Sequence, residues 1–287
     1  MDILDEIKSN LATNENLTEE IKADMFNLIV IFHQTFPDIS LEKLDSRIKD
    51  VKLGKIGVFE RKGPIVYDAV KNEIALSNKK LKGEYDANHL MMKGILGMIS
   101  SADTFYGFNT NNRLRALNIG YTEMLANFLV GNEGICDYEE ELLAADLASQ
   151  IISPEEMFSA YFNNSGETVY KKMLEAEDAV NVKETRTQRI IDDANYFLTL
   201  KESGGQFCDM YSEILKNYSD IFGEQVKKGL KSEDDIDHFQ ATLPGNDETL
   251  DNKHVGLNVL PSYFNQIMEV QKIEMDVLQS EGHAKVA

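Results

Sequence analysis

Apolar positions recur at three- and four-residue spacing through most of the chain, which predicts amphipathic helices. Residues 17–35 put Ile21, Met25, Leu28, Ile29 and Phe32 on one face, with Asn16 and Glu19 at capping-box spacing and Pro37 ending the run. Ser40 is placed to cap a second, short helix reaching residue 48. Two strand segments are expected next. Residues 51–60 are broken by Gly54 and Gly57; residues 65–76 alternate partly through Val66, Ile74 and Leu76 and turn near Lys71-Asn72. From residue 87 the pattern is helical, over 87–101, 114–130, 137–152, 168–179, 184–202, 206–223 and 260–279. Ser153-Pro154-Glu155-Glu156 is a further helix start, with Ser as N-cap and Pro at the first position. Residues 229–256 are polar, acidic and broken by Pro244-Gly245, and read as loop; residues 281–287 read as a frayed tail. The fold class expected is α+β and predominantly helical: N-terminal helices, a small β-sheet, a helical core and C-terminal helices.

Charge narrows the partners. Lys and Arg total 29 against 49 Asp and Glu, a formal net charge of −20. Such a field repels nucleic-acid phosphates and anionic membranes, so neither is expected as a partner. No apolar run is long enough to span a bilayer, and the first residues lack the basic and apolar regions of a secretory signal. Two cysteines, Cys136 and Cys208, suit a reducing interior, with pairing between them left open. A cytoplasmic protein is the expectation.

The chemistry-bearing segment runs from His89 to Val130. A zinc peptidase of the gluzincin type needs two histidines one helical turn apart, a glutamate base between them, and a third glutamate ligand on a later helix. Here the first helix reads Lys93-Gly94-Ile95-Leu96-Gly97-Met98-Ile99-Ser100-Ser101, and the second carries Asn118-Ile119-Gly120-Tyr121-Thr122-Glu123. This resembles the minimal gluzincins of Gram-positive bacteria, in which His-Glu-Leu-Phe-His-Met-x-Ser-Ser precedes Asn-Glu-Gly-Tyr-Thr-Glu. The likeness extends to Val70-Lys71-Asn72-Glu73-Ile74, and more loosely to Tyr138-Glu139-Glu140 and Tyr161-Phe162. It implies a degenerate gluzincin-like domain over residues 1–180 and a helical C-terminal extension over 181–287. Lys93 stands at the first histidine, Gly94 at the catalytic glutamate, Gly97 at the second histidine and Glu123 at the third ligand.

Hydrolysis by that route is excluded in either possible register. With His89 as first ligand, the base becomes Leu90 and the second ligand becomes Lys93, whose ammonium has no lone pair for a metal. Neither a catalytic residue nor a metal or cofactor is therefore expected. The relic cleft comprises His89, Lys93, Gly94, Gly97, Tyr121 and Glu123. Within it Glu123 is expected to pair with Lys93, the ammonium replacing a metal charge. His89 is expected at the surface or in a cap, and Gly94 and Gly97 mark a close approach or fill vacated space. The Met91, Met92, Met98 and Met124 group is expected in the core. The function implied is a catalytically inactive, peptidase-like protein that binds a protein or peptide. Two alternatives stand beside it: an enzyme with a relocated metal site on His89 and Glu123, and an acidic decoy of a basic partner.

Overall fold

Ten helices and a three-stranded sheet make up the described residues, so the protein is predominantly helical α+β. The computed structural model describes residues 2–55, 65–76, 85–108, 112–134, 136–180, 185–203, 210–232 and 234–235. The expected helix at 260–279, most of the expected loop at 229–256, and the tail lie outside them.

The chain begins with α1 (Ile3–Thr13), unexpected from the sequence reading, which buries Ile7 and Leu11. α2 (Glu19–Thr35) is capped by the Thr18 hydroxyl, which accepts from the Ile21 N–H; the expected capping box from Asn16 is replaced by this shorter cap. α3 (Glu42–Ile48) follows, with the Ser40 hydroxyl accepting from Glu42 N–H at 3.3 Å. Asn14, 1% exposed, fastens the end of α1 to the end of α3. Its amide donates to the carbonyls of Ile48 (2.9 Å) and Val51 (3.0 Å).

The sheet has the order β1-β3-β2, with β1 (Lys52–Lys55) parallel and β2 (Ile65–Asp68) antiparallel to β3 (Glu73–Leu76). The expected turn falls at 69–72, with Asn72 at a φ of 50°. Arg47 of α3 ties this layer to the helices. It donates to the Tyr67 hydroxyl (3.1 Å), the Ala69 carbonyl (2.8 Å) and the Ala102 carbonyl (2.7 Å).

α4 (Ala87–Ile99) is buried on nearly all sides, which is why its sequence is apolar almost throughout. Asp86 caps it, accepting from the N–H groups of Asn88 and His89. Its two glycines let the sheet come close: a Cβ on Gly94 would lie 2.9 Å from the Ile74 side chain, and one on Gly97 would lie 2.8 Å from Tyr67. Of the methionines, Met92 and Met98 are fully buried, and Met91 and Met124 pack partly buried against the core.

α5 (Arg115–Val130) and α6 (Glu139–Ile151) are pressed together at Gly120. A Cβ there would sit 1.7 Å from the backbone oxygen of Glu141. α7 (Pro154–Phe162) starts on the Ser153 cap, as its sequence predicts. α8 (Gly166–Ala179) supplies Glu177, whose buried carboxylate accepts from the N–H groups of Arg186 and Thr187 at the start of α9 (Arg186–Ser203). α9 and α10 (Met210–Lys227) add Ile190, Phe197, Tyr218 and Phe222 to the same hydrophobic cluster that begins at Ile7.

The Gly120 contact is against backbone, which cannot swing aside. Gly120→Ala is expected to destabilise the protein by about 1–3 kcal/mol or more, read as a lower urea midpoint. An unchanged midpoint would refute this packing.

Candidate functional site

Four residues apart on α4, His89 and Lys93 share one face, and that face meets Glu123 of α5. All three are buried, at 2%, 8% and 1% exposure. Glu123 receives both. His89 Nε2 lies 2.6 Å from Oε1, and Lys93 Nζ donates to Oε2. The ion pair expected from the sequence is therefore formed. His89 is not at the surface as expected: the Asp86 cap turns its ring inward, and Glu123 gives it a partner there. Sequence reasoning also missed Cys136, whose thiol donates to Glu123 Oε1 at 3.3 Å.

The hydrogen bonds constrain the imidazole. Nδ1 faces the Gly131 carbonyl at 2.8 Å, an acceptor, so Nδ1 donates. Nε2 faces the Glu123 carboxylate, so both ring nitrogens lie against oxygen acceptors. Burial by itself pushes the Glu123 carboxyl up, but Lys93's charge and the His89 bond outweigh it and bring it down to about 2. Burial and the Glu123 charge hold the Cys136 thiol far above its ordinary range, so it is no nucleophile at neutral pH. Cys136 is a free thiol, and Cys208 lies outside the described residues.

Beside this centre is a cavity of about 420 Å³ between β2, α4 and α5. Lys93 and Gly94 form part of its wall, with Tyr67, Asp68, Tyr106, Arg115, Asn118 and Tyr138 among the other lining residues. The other residues expected from the sequence to line a cleft are elsewhere. Glu123 and His89 lie behind Lys93, and Gly97 backs onto Tyr67. Tyr121 stacks in the core, 5.6 Å from Phe108 and 5.3 Å from Tyr161 between ring centres. Ser100 and Ser101 donate to the carbonyls of Leu96 and Met98 and serve to end α4.

A second buried charge cluster adjoins the first through Tyr138. The Lys93 ammonium is 4.9 Å from the ring centre and the Lys201 ammonium 5.7 Å. Lys201, on α9, is shared by Glu140 and Glu141 of α6. Glu139, Glu140 and Glu141 open α6 at its N-terminus, but Glu141 also turns inward, and its Oε1 has no hydrogen-bond partner. Burial raises its carboxyl to about 7, since one lysine offsets two carboxylates only in part.

Among the described residues, no group of three or more His, Cys, Asp or Glu side chains is placed to hold a metal ion. His89 Nε2 and Glu123 Oε1 occupy one another directly, which leaves no space for an ion between them. Comparison with protein-family models, curated proteins and solved structures finds no match to this chain. No helix among the described residues is long and apolar enough to cross a membrane.

Two outcomes follow. Glu123→Gln leaves Lys93 buried without a counter-charge and is expected to cost about 3–5 kcal/mol in denaturant unfolding. Adding Lys93→Met to it should restore at least half of that loss, whereas additive losses would mean the two side chains are independent. The pH dependence has opposite signs at the two acids. Glu123, depressed from 4.5, contributes stability that is present above about pH 4.5 and lost as pH falls toward 2. Glu141, raised from 4.5 to about 7, favours the folded state at low pH, and that advantage is lost as pH rises from 4.5 through 7. Glu141→Gln should flatten the stability profile in the upper window alone, measured by urea midpoints at successive pH values.

Proposed function

We propose that this chain is a peptide- or protein-binding protein on a gluzincin-like frame, with no peptidase activity and a cytoplasmic setting. One observation carries the reading: the cavity beside α4 stays open while Lys93, Glu123 and His89 satisfy one another where a metal centre would need free ligands. Lys93 and Gly94, the positions matching the first histidine and the catalytic glutamate, form part of the cavity wall. A binding role needs that wall and not the lost groups. Mixed aromatic and hydrogen-bonding linings of this size suit a segment of peptide.

Thr104 is exposed and lines the cavity, so Thr104→Trp should block it without touching the core. A random peptide library panned on the full chain is expected to yield sequences that lose at least tenfold in affinity for T104W. Enrichment of none, or equal binding to both proteins, would sink the reading. Zinc bound at about one per chain and lost on Glu123→Ala would favour the relocated-enzyme alternative instead.

A further inference from the structure

The charged groups on the cavity wall are matched inside the protein. Lys93 is held by Glu123, Arg115 by Glu202 at 2.5 Å, and Asp68 by Lys71 at 3.2 Å together with the backbone N–H groups of Val70 and Lys71. Asn118 differs. It is 1% exposed and lines the cavity. Its Oδ1 accepts from the Phe108 N–H at 2.9 Å, which fixes the orientation of the amide. Among the described residues its Nδ2 donates to nothing. That donor reaches the cavity without a protein acceptor, which leaves a ligand to supply one.

Three donor-bearing side chains meet on this wall. Besides Asn118, Lys93 has three N–H groups and Arg115 five, of which Glu123 and Glu202 take few. Glu123 is itself flanked by two basic side chains, His89 and Lys93. The missing component is an acceptor. A carboxylate is the side-chain-sized group that accepts without donating. The net charge of −20 opposes an anion at long range, but that field is screened beyond ~8 Å at physiological salt. On the wall itself Lys93, Arg115 and the Asn118 amide stand with the carboxylates of Asp68 and Glu202, each of which is held by a basic partner of its own.

We infer that the cavity binds a free carboxylate, with Asn118 Nδ2 and Lys93 Nζ as donors. Resting on the peptide-binding reading, this carboxylate is the C terminus of a peptide. Asn118 then sets specificity, and any peptide whose end is blocked is rejected.

The test is titration of the full-length chain with acetylglycine and with acetylglycinamide, followed by protein NMR. These probes differ only in the carboxylate. Acetylglycine is expected to bind at least tenfold more tightly. In Asn118→Asp one oxygen still accepts from Phe108 while the free donor becomes a second oxygen, so acetylglycine binding should fall at least tenfold in protein whose NMR spectrum shows the fold retained. T104W should abolish binding. Equal affinity for the two probes, or no binding of acetylglycine to the unaltered chain, overturns the inference, and neither result depends on a variant that must fold. Equal affinity would leave the cavity reading standing. Acetylglycine binding with no peptide enriched in panning would do the reverse: the site would then serve a small organic acid, and the peptide reading would fall.

Discussion

A carboxylate buried in a helical core dictates much of this structure. Glu123 gives up its water on α5, and it can stay ionised there only because donors converge on both oxygens. Lys93 and His89 come from α4 and Cys136 from the segment leading into α6. The same requirement fixes the rotation of α4, since only one face carries both basic residues. It also fixes the end of α5, whose Gly131 carbonyl holds the other side of the His89 ring. The cavity is what remains between this centre and β2.

Close approach without side chains is the second constraint. Gly94 and Gly97 let α4 lie against Ile74 and Tyr67, and Gly120 lets α5 lie against the backbone of α6. The glycines weaken helix propensity but allow the charged face of α4 to reach α5 while its back rests on the sheet. At Gly97 the Tyr67 ring occupies the space beside the helix, held by Arg47 and Asn72. The aromatic fills the space beside Gly97, and the lysine the space beside Glu123.

Much of this was legible in the sequence. Helical periodicity, with the Ser40 and Ser153-Pro154 start signals, located α2 to α10, and the spacing of β2 and β3 about the Lys71-Asn72 turn was visible, because each is a local signal. The Lys93–Glu123 pair was legible from the motif frame. What escaped was set by partners far along the chain. His89 reads as a surface residue until the Gly131 carbonyl and Glu123 are brought to it. Glu141 reads as a helix-dipole residue until Lys201, sixty positions later, arrives on α9. α1 carries a local signal in Ile3, Ile7 and Leu11, too short a stripe to stand out beside the longer helices. The free donor of Asn118 has no signature in sequence, since it depends on the Phe108 backbone taking the oxygen and leaving the nitrogen to the cavity.

Mutual neutralisation at the centre also limits how the chain can change over generations. Replacing either Lys93 or Glu123 alone strands a charge in the core, so the two positions can drift only together. Their pairing acts as a ratchet on descent: sequences on either side of it are stable, and the single steps between them are not.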